Sequence, residues 1–150
     1  MNLFLVAQIA GRSVAIAGAQ VDSVVDLGDI IAVPGAERAV RGLTALRSRV
    51  VTVIDTGVAL GLAPMPADIR RAVITRFDGH DYAVLVDSLE DIVPLAHQPI
   101  ENGLALRGGW ATAADGLVER DGEPVLVLDL SRIIPGVVPV AERPAEQRAA

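Results

Sequence analysis

Residues 31–62 read IAVPGAERAVRGLTALRSRVVTVIDTGVALGL. A Val33-Pro34 turn leads into a block ending in Leu46-Arg47-Ser48, and a β-branched run from Val50 to Ile54 ends at Asp55. β-Branched side chains favour extended backbone, so residues 50–54 are expected to form a buried strand. A carboxylate at the start of a helix accepts the free backbone N–H groups there, and glycine commonly ends one. Asp55 therefore reads as the cap of a short helix running to Leu60 and stopped by Gly61. The same closure recurs near the C-terminus. Val125-Leu126-Val127-Leu128 is halted by Asp129, followed by residues 130–134 and the stop Pro135-Gly136. A repeated strand–Asp–helix closure predicts a chain built as two similar halves.

Outward from that block, the chain reads as short strands divided by turn signals. Residues 3–9 and 13–17 are strands around the turn Ala10-Gly11-Arg12, and residues 20–25 are a third strand. Residues 36–46 carry Ala36, Ala39, Val40, Leu43 and Leu46 three or four apart, a spacing that predicts one or two helical turns on a barrel end. The paired prolines of Ala63-Pro64-Met65-Pro66-Ala67 mark a linker. Residues 72–77 and 82–86 flank the Asp78-Gly79 turn of a hairpin. Val86-Asp87-Ser88 then echoes Val21-Asp22-Ser23, each following a hairpin. These echoes divide a domain of residues 1–136 into subdomains 1–62 and 70–136 with a linker at 63–69. Residues 94–109 are expected to be a long mobile surface loop, residues 113–119 and 123–128 a last hairpin, and residues 137–150 a loose tail.

Composition narrows the chemistry. Apolar residues make up 51% of the 150, yet no run approaches the roughly 18–20 apolar residues of a membrane helix. The surplus is expected as core, with no membrane insertion. Met1-Asn2-Leu3-Phe4 lacks the basic start of a secretory signal, so a cytoplasmic location is expected. Cysteine is absent and all 13 basic residues are arginine, which removes thiolate ligands, cysteine nucleophiles and Schiff-base lysines. A net charge of −6 and only four aromatic side chains argue against nucleic acid, which is held through basic surface and stacking.

No phosphate loop, dinucleotide fingerprint, nucleophile elbow or zinc-binding HExxH motif is present. His80 and His97 read as turn and loop residues, and Asp22 and Asp87 as solvated carboxylates. Asp55 and Asp129 are better read as helix caps than as an acid pair, so no catalytic, metal or cofactor site is expected. Arg47 has two readings. It lies between apolar Leu46 and a buried strand, where it either hydrogen-bonds carbonyls at a barrel mouth or presents its planar fork to a partner.

Val33-Pro34, Val40-Arg41-Gly42-Leu43, Leu46-Arg47, Val50 through Asp55 and Leu60-Gly61-Leu62 together resemble the signature of CheW-like chemotaxis coupling proteins. Weaker matches to the same family extend over residues 3–136. The resemblance implies an all-β fold of two five-stranded SH3-like β-barrels with short helices around a shared hydrophobic core. It also implies a non-enzymatic adaptor at receptor arrays on the inner face of the membrane. Such an adaptor joins a chemoreceptor's cytoplasmic tip to the regulatory domain of a CheA-type histidine kinase. Matched to the family's motif and binding strand, the partner-binding candidates are Val21, Ser23, Val24, Gly42, Leu43, Leu46 and Arg47. The family's Asn-Leu-Arg-Gly stands here as Ala45-Leu46-Arg47-Ser48, and Ser23 occupies a position where the family often has glutamate. These departures leave a second reading, a divergent member that caps arrays or serves a non-flagellar system. A third, from another class, is a small β-barrel hydrolase using Asp55, Asp87 or His80.

Overall fold

The long aliphatic runs become strands because both of their faces are buried. The computed structural model describes residues 1–100 and 106–139, and among them ten strands form two five-stranded sheets. The first sheet contains β1 (Asn2–Ile9), β2 (Arg12–Ala17), β8 (Ser88–Leu95), β9 (Ala114–Arg120) and β10 (Glu123–Leu128), ordered β8-β1-β2-β10-β9. The second contains β3 (Ser23–Asp26), β4 (Val40–Leu46), β5 (Arg49–Ile54), β6 (Arg71–Phe77) and β7 (His80–Leu85), ordered β3-β6-β7-β5-β4. Each sheet has one parallel pairing, β2 with β10 and β5 with β7, and is otherwise antiparallel.

Both sheets close by the same device. After β3 the chain returns to β4, where Ile31 and Leu43 exchange backbone hydrogen bonds of 2.8 and 2.9 Å. After β8 it returns to β9, where Gln98 and Leu117 exchange two of 2.8 Å. A side chain at Gly42 would run into the Ile31 carbonyl, and one at Gly116 into the Gln98 carbonyl. Glycine permits both close approaches.

Successive side chains of a strand point to opposite faces, and here the two faces serve different cores. Val51 and Val53 fill the second barrel with Ala72, Ile74, Ala83 and Leu85. Phe4, Ala15, Val118, Val125 and Val127 fill the first. Their neighbours Leu5, Ile16, Ile54, Val73, Val84 and Leu128 point the other way, into a third cluster shared by both sheets. Transfer of apolar surface at roughly 25 cal/mol per Å² thus acts on both sides of the central strands.

The strand orders of the two sheets correspond to one another. Replacing each strand of β1–β5 by the one five places later converts either sheet order into the other. Each sheet combines the first hairpin of one half with the last three strands of the other. Neither β1–β5 nor β6–β10 makes up a sheet by itself, so the expected subdomains 1–62 and 70–136 do not coincide with the two sheets. The physical reason is that a hairpin is local, whereas its sheet neighbours are chosen by burial.

Several expected elements differ. Residues 36–46 do not form helical turns; β4 occupies Val40–Leu46 and pairs with β5 through Leu46 opposite Arg49. The third strand begins only at Ser23, after a 3₁₀ turn at Gly18–Gln20. Within the expected loop 94–109, β8 continues to Leu95, Gln98 pairs with Leu117, and a helix, α2 (Gly108–Ala113), begins. Its segment 101–105 lies outside the described residues. Val137, expected in the tail, is buried in the shared core, and residues 140–150 of that tail lie outside the described part.

Candidate interaction surface

The β4–β5 hairpin carries most of the residues that the sequence singled out. Val51 and Val53 point into the second barrel, so Val50 and Thr52 point away from it. Their cross-strand partners are Ala45 and Leu43, and Leu43 is in turn bridged to Ile31. Opposed residues share one face of a sheet. The outer face therefore carries Ile31, Leu43, Ala45, Val50 and Thr52, with Ile31 72% and Val50 60% exposed. The outward-facing row along β5 runs on to Ile54 in the shared core, so the strand passes from a buried to a solvent-facing apolar surface. Thr52 Oγ1 lies 2.8 Å from His80 Nε2, and the His80 ring stands edge-on to Tyr82 at 4.8 Å. Burial pushes the Tyr82 hydroxyl above its ordinary value, and the Asp78 charge adds to the shift. Tyr82 is neutral across the physiological range.

The seven partner-binding candidates divide by environment. Val21 and Val24 pack, half-buried, against the shared core, and Ser23 opens β3 opposite Ile74. Gly42 is buried at the Ile31 crossing, where its role is backbone approach. Leu43 lies half-buried on the outer face, whereas Leu46 packs toward the interior of the second barrel. Arg47 is exposed at the hairpin tip, with φ of 52° there and 66° at Ser48. Two successive positive φ values at the centre of a two-residue hairpin describe a type I′ turn.

That placement removes Arg47 from any barrel mouth. An arginine that does bind carbonyls in this half is Arg41, to which the sequence gave no role of its own. Its Nη2 donates to Asp55 Oδ2 at 2.7 Å and to the Met65 carbonyl at 2.6 Å, while Nη1 donates to the Pro66 carbonyl at 3.2 Å. Asp55 is the N-cap of α1 (Thr56–Ala59) and accepts from Val58 N at 3.1 Å; Met65 N also donates to it. The Met65–Pro66 segment is thus tied to the barrel by hydrogen bonds to both members of a largely buried ion pair, and Met65 enters the barrel core. The capping signal Asp55 was visible in sequence. Its pairing with Arg41 depends on β4 being a strand.

The remaining carboxylates and imidazoles are dispersed. Asp129 accepts from Ser131 N at 3.0 Å and from Gln20 Nε2 at 2.7 Å, capping a 3₁₀ turn at Leu130–Arg132. Asp87 accepts from Gly11 N at 2.8 Å, and Asp22 is exposed. His97 stacks on Phe4 and donates to the Asp115 carbonyl. Glu90 is held below the usual carboxylate range, first by the Ser13 hydroxyl and also by Arg120. Among the described residues, no group of three histidine or carboxylate side chains is placed to hold a metal ion. No helix among them is long and apolar enough to cross a membrane.

Fold and surface define a class: a double β-barrel module presenting an apolar strand face beside a charged hairpin tip. Residues 3–137 match the CheW-like domain, and the chain belongs to that family. The chemotaxis protein CheW of Thermotoga maritima is 26% identical over 117 residues, covering 76% of this chain and 75% of that protein. The crystal structure of the scaffolding protein TtCheW from Thermoanaerobacter tengcongensis superposes with a TM-score of 0.72. That match has 19% identity and covers 86% of this chain and 84% of the other. The two barrels are SH3-like, as that likeness in fold indicates.

Proposed function

We propose that the chain is a non-enzymatic chemosensory scaffold that couples a chemoreceptor's cytoplasmic tip to a CheA-type histidine kinase at arrays on the inner face of the membrane. The observation that carries this reading is the match of residues 3–137 to the CheW-like domain. Two relatives are named a chemotaxis protein and a scaffolding protein, and the exposed apolar strand face offers area for a protein partner. The contact surface assigned here comprises Val21, Ser23, Val24, Leu43 and Arg47. Gly42 and Leu46 contribute by holding the shape of β4. Arginine at an interface supplies a planar, multiply donating group, and the type I′ turn projects Arg47 away from the barrel.

Co-purification with the receptor tips and kinase regulatory domain of its own organism tests the reading. Binding at micromolar concentration is expected, and failure to bind either partner sinks it. Arg47→Ala is expected to weaken the complex about tenfold, equivalent to about 1.4 kcal/mol, with an unchanged melting temperature. If excess protein instead lowers receptor-stimulated kinase activity without supporting activation, the chain caps arrays and does not couple them.

A further inference from the structure

Two strands leave the first sheet side by side. β2 and β10 are paired in parallel up to Ile16 and Leu128. β10 then enters the Asp129 cap, while β2 passes through the 3₁₀ turn Gly18–Gln20 and crosses to β3 of the second sheet. Gln20, half-buried, is the last residue before the contact candidates Val21, Ser23 and Val24. Its side chain bridges the two departing segments through both ends of the amide. Nε2 donates to Asp129 Oδ1 at 2.7 Å, and Oε1 accepts from Leu130 N at 2.9 Å. The partners fix which end is which, because a carboxylate only accepts and a backbone N–H only donates. Two residues on, Asp22 N donates to the Ile74 carbonyl at 2.8 Å. Val21 is thus held between the Gln20 clasp and the second sheet.

The second sheet fastens the matching junction with other side chains. There β5 and β7 leave side by side at Ile54 and Val84. Thr56, the residue after the Asp55 cap, donates its hydroxyl to the Leu85 carbonyl of β7. The residue after Asp129 is Leu130, which has no hydroxyl to give. Before Gly42 stands Arg41, the guanidinium partner of Asp55, whereas before Gly116 stands Asp115. Gln20 therefore makes at one junction the tie that Thr56 and Arg41 make at the other. It also takes up the N–H of Leu130, a fully buried residue, and a buried donor without a partner is costly.

We propose that Gln20 is a positioning residue. By clasping Asp129 and Leu130 it fixes the crossover between the sheets, and with it the presentation of Val21, Ser23 and Val24 to the receptor tip. The clasp stands on geometry alone, and only the last step rests on the contact surface proposed above.

The test uses the full chain and the variants Gln20→Ala and Gln20→Glu, read by amide NMR and by binding to the receptor tip of its own organism. Gln20→Ala is expected to shift the resonances of Val21–Val24, to leave the Arg47 hairpin unmoved and to weaken binding severalfold. Gln20→Glu adds a readout that a merely stabilising role would not move. The charged groups around the introduced carboxyl are Asp129 and Arg132, the latter shared with Asp115. A neighbouring carboxylate raises a carboxyl pKa. At pH 8 the ionised variant repels Asp129 and is expected to match Gln20→Ala. At pH 5 the protonated form donates its O–H to Asp129 and accepts the Leu130 N–H, so the Val21–Val24 resonances are expected to return toward those of the parent. Unshifted Val21–Val24 resonances in folded Gln20→Ala overturn the clasp, as does a Gln20→Glu spectrum without that return. Shifted resonances with unchanged binding overturn the positioning role. If the parent itself binds no receptor tip, the scaffold reading falls, and the clasp stands or falls on the spectra.

Discussion

Two arginines six residues apart do opposite things. Arg41 projects from the start of β4 onto a carboxylate whose side chain is 6% exposed, whereas Arg47 stands at the hairpin tip in water. Removing one partner of a buried ion pair strands the other charge and costs about 3 kcal/mol or more. Arg41→Ala is therefore expected to lower stability by about 3 kcal/mol, read as a reduced urea midpoint. Arg47→Ala, on the surface, should change it by less than about 0.5 kcal/mol. Equal losses in the two variants would contradict the assignment. Ser48 poses the reverse case, since a left-handed non-glycine residue costs about 1–2 kcal/mol and the turn holds φ of 66° there. Ser48→Gly is expected to stabilise by about 1 kcal/mol after the larger unfolded-state entropy of glycine is counted. Thermal melting checks this, and a lower melting temperature would refute it.

At the scale of elements, β8 shows how an edge strand is secured. Beyond its pairing with β1, its Glu90 accepts the Ser13 hydroxyl of β2 at 2.6 Å and the Arg120 guanidinium of β9 at 2.8 Å. The folded state holds the Glu90 carboxyl below its ordinary value. Its contribution is present above the unfolded pKa of about 4.3 and is lost as pH falls through the lower folded value. Urea midpoints measured at pH 6 and pH 3 should therefore converge partly between the parent and Glu90→Gln. A constant gap at both values would show that the ionised group does not act. The β4 strand illustrates what element-level reading misses. Apolar residues three or four apart at positions 36–46 fitted a helix, but Arg41 and Thr44 are tied to other segments and Leu43 to Ile31. Those partners are distant in sequence, and pairing with β5 outweighs local spacing. The strands flanked by clear turns, at 3–9, 72–77 and 123–128, were legible because their signals lie within a few residues.

For the whole molecule, exchange of strands between the two sheets predicts cooperative behaviour. Neither barrel is complete without strands from both halves, and the shared cluster draws on both sheets. Unfolding is expected as a single transition, with tryptophan fluorescence and far-ultraviolet dichroism giving the same midpoint. Residues 1–69 expressed alone are expected not to fold. Two separated transitions, or a folded half-chain, would refute the interlocked design. By itself the sequence determined that the protein is all-β, capped at Asp55 and Asp129, and similar to the CheW-like family. Those properties rest on turn chemistry, side-chain alternation and motif, all confined to short stretches. Only the tertiary structure decided that the two sheets trade strands and that Arg41 and not Arg47 grips the linker. These follow from which distant surfaces bury one another, a choice made by the free energy of the whole packed core and not by any segment within it.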